Sequence, residues 1–206
     1  MKTIGKFLIL GAILIIVFNY SYIYISNNHN KQNIDKYIKE TSTKVKNEEI
    51  IQTEETNNEI KDENNKENNK TINYTAILEI PSINLKQGVV NSTKNFNSIN
   101  YAISVDKHSN YPDKEGNFIL YAHSGNSSIA YFRNLNKVNI NDKVYVYYNG
   151  IKYEYIITNK YDIKKTGTAN IIKSNTDKYI TLITCNPNKD GYQIVIIGKI
   201  KEEIKY

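Results

Sequence analysis

The distribution of apolar residues divides the chain into three parts. Phe7 to Ile25 is an almost unbroken apolar stretch without a charged side chain, long enough to span a hydrocarbon core as a helix. The next segment, residues 26–73, is rich in Asn, Glu, Lys and Thr and has few apolar residues to bury. From Tyr74 onward, short β-type runs predict a mainly β domain over residues 74–206.

Short apolar and β-branched runs mark the strands of this domain. The Asn149–Gly150 pair separates two of them and is typical of a type I′ hairpin turn, because both residues tolerate positive φ. About seven short strands with few helical segments indicate a barrel or a sandwich. The predicted strands are residues 75–80, 100–104, 118–121, 144–148, 151–161, 179–185 and 193–200.

Charges around the first apolar stretch favour a membrane anchor. Lys2 and Lys6 precede it, so residues 1–6 are expected to stay in the cytoplasm while the rest of the chain is exported. A cleaved signal peptide is the alternative, but no small-x-small cleavage site follows. We therefore predict a single-pass signal-anchor over residues 7–25, a flexible extracytoplasmic linker over residues 26–73, and a β domain held outside the cytoplasm at the cell membrane.

The overall charge narrows the possible partners. The formal net charge is +6, yet no stretch is dense in Lys or Arg, and Arg133 is the only arginine. Nucleic-acid recognition needs a concentrated basic surface and arginines to contact base edges. The sequence therefore argues against a nucleic-acid partner.

Cys185 is the only cysteine, although exported domains usually carry cysteines in pairs. It closes the apolar run Tyr179-Ile-Thr-Leu-Ile-Thr-Cys185, and a loop follows at once. His123 has a matching position, at the end of Asn117-Phe-Ile-Leu-Tyr-Ala and before a Ser/Gly/Asn loop. A thiol and an imidazole at two strand ends are the minimum for thiolate acyl transfer.

A structural interpretation stands beside this one. A lone cysteine is also a common buried core residue, and a histidine at a strand end is often only hydrogen-bonded. His108 and His29 are not matched with the cysteine in the way that His123 is, and we interpret both as structural residues.

Two segments carry a family resemblance. Gly116-Asn-Phe-Ile-Leu-Tyr-Ala-His123-Ser-Gly125 and Thr181-Leu-Ile-Thr-Cys185, in this order and about 60 residues apart, resemble the histidine and Leu-x-Thr-Cys motifs of the sortase family. Ala76-Ile-Leu-Glu-Ile-Pro81 resembles the first strand of that fold, and Asn141-Asp142 resembles its Gly-Asp turn. The resemblance covers about residues 74–200, together with the anchored topology.

The resemblance implies a closed β-barrel of about eight strands with short helices. It also implies that Cys185 is the nucleophile and His123 the proton donor and acceptor. Family members cleave a Leu-Pro-x-Thr-Gly-like sorting signal between Thr and Gly, hold the acyl group as a thioester, and pass it to an amine. The implied partners are sorting-signal-bearing surface proteins or pilins, a peptidoglycan precursor or other amine acceptor, and the membrane. Neither a cofactor nor a metal is expected.

The sequence departs from the family pattern after the cysteine. Sortases usually have an arginine at the start of the last long strand, where it positions substrate and stabilises the oxyanion. Gln193 stands nearest to that place, and its amide donates a neutral hydrogen bond without a positive charge. Lys189 and Arg133 are the other candidate cations, and Ala122 replaces a common glycine beside the histidine.

These observations leave two main functions open. The first is a cysteine transpeptidase, and the second is a catalytically weak or inactive sortase-like domain that binds sorting signals or scaffolds surface proteins. A papain-type protease ranks lower, because its cysteine precedes its histidine in the chain and its local cysteine signature is missing here.

Overall fold

A computed structural model describes residues 2–51, 73–91, 102–169 and 171–206, except for the side chains of residues 2–8, 23, 26, 27 and 46–51. The domain that follows residue 73 is a closed barrel of eight strands. The strands are β1 (Ala76–Ile80), β2 (Leu85–Asn91), β3 (Ile103–Val105), β4 (Gly116–Tyr121), β5 (Lys143–Tyr148), β6 (Ile151–Lys164), β7 (Lys178–Cys185) and β8 (Tyr192–Lys205).

Neighbouring strands follow the order β1-β2-β3-β4-β7-β8-β6-β5, and β5 closes the barrel on β1. Most pairs are antiparallel, but β2 pairs with β3 and β4 pairs with β7 in parallel. Short 3₁₀ turns at Pro81–Ile83 and Leu135–Lys137 complete the domain. The prediction of a mainly β, closed barrel of about eight strands with short helices is confirmed.

Alternation along the strands fills the barrel interior with apolar side chains, because successive residues of a strand point to opposite faces. Phe118, Leu120, Leu182, Ile194 and Ile196 illustrate this pattern, since each belongs to the central cluster and is almost fully buried. The predicted Asn149–Gly150 turn is also present, with φ of 47° and 73° at the two residues.

Strand β2 was not predicted from the sequence. Its first half contains Lys86, Gln87 and Gly88, which are poor strand formers. Tertiary contacts override that preference, because the first half of β2 pairs with β1, and its last three residues pair with β3. The Tyr74 ring packs against the Gly88 backbone so closely that a Cβ there would lie 2.1 Å from a ring carbon. Residues 100 and 101 of the predicted strand 100–104 lie outside the described residues.

Part of the predicted linker, residues 26–51, is helical in the structure. They form the second half of a 50-residue helix, α1 (Lys2–Ile51), which contacts the barrel. Ile34 is 3% exposed, and Tyr37 donates its hydroxyl to the Thr75 carbonyl oxygen at 2.7 Å. Thr41 shares a 2.8 Å hydrogen bond with Tyr206. Composition did not reveal this docking because most of its contacts are polar. Residues 52–72 of the predicted linker lie outside the described residues.

A polar contact attaches the same helix to β2. Asn30 donates through its amide to Gln87 at 2.8 Å and accepts the Tyr74 hydroxyl at 2.9 Å. Burial, with a smaller contribution from Tyr131, raises the pKa of Tyr74 to about 12, so this hydroxyl remains a donor at neutral pH.

Among the residues that were described, no helix combines the length and the apolar character that a membrane crossing requires. Phe7, Leu8 and Ile23 of the predicted anchor are among the side chains outside that description. The anchor over residues 7–25 stays a prediction from the sequence.

The docking of α1 gives the first testable prediction. Ile34→Ala in the full chain should lower the free energy of unfolding by about 2 kcal/mol, because a buried branched side chain is lost between helix and barrel. Urea unfolding measures this change, and exposed Lys31→Ala on the same helix is the control. Equal stability of both variants and the unmodified chain would show that α1 does not pack on the barrel.

Candidate active site

The two predicted reactive side chains lie at the ends of neighbouring parallel strands. In the pairing of β4 with β7, Tyr121 is opposite Ile183, and the Ala122 N–H donates to the Ile183 carbonyl oxygen at 3.4 Å. Continuing this register by two residues places His123 beside Cys185. Adjacent strands lie about 4.8 Å apart, which is a suitable spacing for a thiol and an imidazole that must exchange a proton.

Gln193 completes a row of three positions. Strand β8 runs antiparallel to β7, and Cys185 is the direct pairing partner of Gln193. Directly opposed residues in an antiparallel pair have side chains on the same face. The structure therefore pairs Gln193, the nearest match to the arginine that the resemblance expects, directly with Cys185 on the same face.

All three side chains belong to the outer face of the barrel wall. Ala122 and Ile194, their neighbours in sequence, belong to the central cluster and so point inward. By alternation His123, Cys185 and Gln193 point outward, and each is half-buried. A peptide lying along the outside of the barrel can reach them.

A buried hydroxyl ties the strand ends together. Thr184 donates its Oγ1 hydrogen to the Ala122 carbonyl oxygen at 2.8 Å, and its side chain is 3% exposed. Each of these residues immediately precedes one of the two reactive residues. This role was not apparent from the sequence, although Thr184 is the threonine of the Leu-x-Thr-Cys motif.

The segment after His123 is anchored in the core. The His123 carbonyl oxygen accepts the Phe132 N–H at 3.0 Å, and Phe132 is fully buried. The exposed Arg133 donates from Nη2 to the Ser127 carbonyl oxygen at 2.6 Å. The guanidinium therefore stabilises the loop that follows His123. Among the described residues, no contact places it beside Cys185. Burial raises the pKa of Tyr131 in the same loop.

The loop after Cys185 is short and internally bonded. The Asn186 N–H donates to the Tyr192 carbonyl oxygen at 2.8 Å, and the Asn186 side-chain oxygen accepts the Asn188 N–H at 2.9 Å. Lys189 holds its ammonium 3.6 Å from the centre of the Tyr192 ring. Tyr192 precedes Gln193 in β8, so its side chain points to the opposite face. Lys189 is thus directed away from the Gln193 side chain.

The other two histidines do not join this group. His108 contacts Asp106 at 3.0 Å and is 72% exposed, in the loop that leaves the far end of β3. His29 contacts Asn33 on α1 at 3.0 Å. No group of three or more His, Cys, Asp or Glu side chains that could hold a metal occurs in the part of the chain that the structure describes.

This arrangement offers a nucleophile, a proton carrier and a neutral hydrogen-bond donor in one row. A thiolate from Cys185 can attack a carbonyl carbon, and the His123 imidazole can carry the proton that a leaving amine needs. The Gln193 amide can donate to a negatively charged oxygen, although more weakly than a charged group. Such a set of groups is suited to acyl transfer.

Comparison with known proteins identifies related sequences and structures. Residues 78–201 match the family model of the sortase domain. The chain is 27% identical to sortase A of Bacillus anthracis over 121 residues, which are 59% of this chain and 56% of that protein. The matched region thus spans little more than half of that relative's length.

Solved structures show the same barrel. Sortase A of Listeria monocytogenes superposes with a TM-score of 0.56 at 25% identity, over 65% of this chain and 90% of that one. Sortase C-1 of Actinomyces oris superposes with a TM-score of 0.56 at 23% identity, over 62% and 73% of the two chains.

The Thr184 contact predicts a specific loss of stability. Thr184→Val keeps the shape of the side chain but leaves the buried Ala122 carbonyl oxygen without this donor, so unfolding free energy should fall by about 1–2 kcal/mol. Thr184→Ser keeps the hydroxyl and is the matched control in urea unfolding. A valine variant more stable than the serine variant would contradict this role of the hydroxyl.

Proposed function

The chain belongs to the sortase family, and we propose that it is a cysteine transpeptidase that cleaves a Leu-Pro-x-Thr-Gly-like sorting signal and transfers the acyl group to an amine. The parallel register of β4 and β7 carries this proposal, because it aligns His123 with Cys185 on the outer face of the barrel. Sortase C of Streptococcus pneumoniae, which shares this fold, is described by its pilin substrate specificity.

In the proposed acylation step, the Cys185 thiolate attacks the threonine carbonyl carbon of the signal and forms a C–S bond. The tetrahedral intermediate then collapses, and the C–N bond to glycine breaks. The protonated His123 imidazole gives its proton to the departing amine, so the glycine segment leaves neutral. The thioester on Cys185 retains the acyl group.

In the second step, an acceptor amine takes the acyl group from Cys185, so the bond changes of the first step are reversed. The nitrogen of an acceptor amine attacks the thioester carbonyl, and the now neutral His123 takes the proton that the amine must lose. The C–S bond breaks, and the Cys185 thiolate is restored. We propose a surface protein or a pilin as the acyl donor and a peptidoglycan precursor or another amine as the acceptor. This would take place outside the cytoplasm at the membrane, as the first 25 residues predict.

We propose that the Gln193 amide donates a hydrogen bond to the oxyanion and to the substrate. Its pairing with Cys185 supports this role, because a carbonyl bound at the sulfur lies within reach of the neighbouring strand. A neutral amide stabilises a developing negative charge less than a guanidinium does. We therefore expect slower acylation than in a sortase with an arginine at this place.

The alternative function is a sortase-like domain that binds sorting signals without turnover. The absence of an arginine beside Cys185 is the observation that favours it. Covalent chemistry at Cys185 separates the two functions.

Loss of the reactive groups tests the proposal. The protein incubated with a set of sorting-signal peptides should gain the mass of the acyl portion on Cys185. Cys185→Ala should show no adduct and no cleavage, and His123→Ala should lose nearly all turnover because the leaving amine lacks its proton donor. Intact-mass spectrometry and peptide cleavage measure both effects. Cleavage by Cys185→Ala at the rate of the unmodified protein would contradict the proposed mechanism.

Substitution at Gln193 tests its role separately. Gln193→Ala should lower kcat by up to roughly 10²–10³, the typical effect of losing one oxyanion donor, and by less if the amide mainly orients substrate. Gln193→Arg should preserve or raise activity, because a charged donor then occupies the same place. Steady-state cleavage assays measure both variants. Inactivation by arginine together with full activity of the alanine variant would remove Gln193 from the site.

A further inference from the structure

The strands that carry the reactive residues run in the same direction as β1. Strand β7 is parallel to β4. The successive antiparallel pairings of β7 with β8, β8 with β6, β6 with β5 and β5 with β1 make β7 parallel to β1 as well. His123 and Cys185 lie at the C-terminal ends of β4 and β7. The C-terminal end of β1, at Ile80, therefore lies at the same end of the barrel, which we call the active-site end.

Helix α1 runs antiparallel to β1. Tyr37 contacts Thr75, the residue before β1, whereas Asn30 contacts Gln87, which pairs with Leu78 inside β1. Seven residues of a helix cover about 10.5 Å and three residues of a strand about 10 Å, so both contacts fit a helix that lies along the strand. Toward its N-terminus, α1 therefore approaches the active-site end.

The apolar part of α1 begins where β1 ends. Ile25, the last residue of the predicted anchor, is five residues before Asn30, or about 7.5 Å along the helix. Ile80 is two residues beyond Leu78, or about 7 Å along the strand. Residues 13–16 are successive apolar side chains that point to all sides of the helix, and each is more than 50% exposed. Lipid around this part of the helix would have its surface level with the active-site end.

An exposed isoleucine lies at this end of the barrel. Strand β5 is antiparallel to β1 and pairs Tyr145 with Glu79, so the turn before β5, residues 139–142, lies beyond the C-terminal end of β1. Ile140 in that turn is 48% exposed. This is the highest exposure among the large apolar residues of the barrel, in the part of the chain that the structure describes. The barrel thus presents its most exposed isoleucine toward the apolar part of α1.

The backbone of this turn is fixed. The Asn139 N–H donates to the Asp142 Oδ2 at 2.9 Å, and the Asp142 N–H donates to the Asn139 carbonyl oxygen at 3.2 Å. Just before the turn, the Lys160 ammonium donates to two carbonyl oxygens of residues 136–138, at 2.7 and 2.8 Å. Ile140 therefore projects from a backbone that is already ordered.

Positive charge flanks the isoleucine. Residues 137–143 carry two lysines and one aspartate. Lys137 is exposed, and Lys143 shares the Glu154 carboxylate with Lys201, at 3.1 and 3.0 Å. One carboxylate thus faces two ammonium groups, and the surface around the turn stays positive. An apolar side chain between lysines suits the boundary of a bilayer with anionic headgroups.

We propose that the turn of residues 139–142 is a second membrane contact, in which Ile140 enters the interface of an anionic bilayer and Lys137 and Lys143 face its headgroups. This inference rests on the proposed membrane location, because the anchor brings the turn to the lipid. The turn and the helix touch the bilayer at two separate points, and together they fix the orientation of the barrel. The active-site end is held at the bilayer surface, and substrates reach Cys185 along that surface.

Quenching by labelled lipids tests this contact in the full chain. Cys185→Ala removes the only cysteine, so Ile140→Cys in that background accepts a single fluorescent label. Vesicles of phosphatidylglycerol and phosphatidylcholine that contain nitroxide-labelled headgroups should quench this label. Ile204→Cys is the matched control, because Ile204 is 36% exposed and pairs with Lys152 at the opposite end of the barrel. Its label should keep its fluorescence.

Charge variants test the headgroup contact separately. Lys137→Gln should lower the fraction of labelled turns in contact with the anionic vesicles by up to about fivefold, the usual contribution of one lysine near such a surface. The exposed Lys107, in the loop after β3 at the opposite end, provides the control variant Lys107→Gln, which should change nothing. Vesicles of phosphatidylcholine alone should abolish the difference between the two variants.

Flotation of the protein with the vesicles separates the possible failures. A full chain that does not float would refute the predicted anchor and this inference together, whereas thioester formation on Cys185 tests the transpeptidase proposal independently. In floating protein, equally weak quenching at positions 140 and 204 would overturn the turn contact. Quenching at position 204 alone would show that the opposite end of the barrel faces the lipid. Quenching at position 140 that is insensitive to both Lys137→Gln and lipid charge would overturn the headgroup contact.

Discussion

The parallel pairing of β4 with β7 is the constraint on which the candidate site depends. Two parallel strands run in the same direction, so residues that follow a directly paired position by the same number of residues are aligned. His123 and Cys185 meet this condition through the register of Tyr121 with Ile183. The antiparallel β8 then adds Gln193 from the opposite direction. Three residues that are distant in sequence are thus collected by backbone hydrogen bonds rather than by contacts among themselves.

This dependence on strand pairing explains which features were predictable from the sequence. Cys185 and His123 each close an apolar run that precedes a polar loop, and the Asn149–Gly150 turn has an unambiguous dipeptide. Strand β2 was not predictable, because Lys86 and Gly88 are poor strand formers, and pairing with β1 stabilises them in the sheet. The docking of α1 was missed for a related reason. Asn30, Tyr37 and Thr41 form its hydrogen bonds, and polar residues at helical spacing do not distinguish a docked helix from a solvated one.

The site has a neutral hydrogen-bond donor beside Cys185 in place of a cation, and hydrogen bonds fix the segments around it. Gln193 offers a neutral donor, while Arg133 and Lys189 are engaged with the Ser127 carbonyl oxygen and the Tyr192 ring. A preorganised site can still stabilise a transition state with neutral donors, because their dipoles need no reorganisation during the reaction. Thr184 supplies such a fixed position at the strand ends, because its hydroxyl donates to the Ala122 carbonyl oxygen.

The most direct test of that alignment is a disulfide formed across β4 and β7. The chain has a single cysteine, so an intramolecular disulfide in a His123→Cys variant must join position 123 to Cys185. Residues paired across adjacent strands have Cα atoms within the 4.4–6.8 Å range of disulfides. A second cysteine at Tyr121 is displaced by two residues, to roughly 8 Å, and is the control. The account predicts rapid oxidation of His123→Cys and not of Tyr121→Cys, measured by the loss of two hydrogens in the intact mass. Oxidation of the Tyr121→Cys variant alone would show that His123 and Cys185 are not in register.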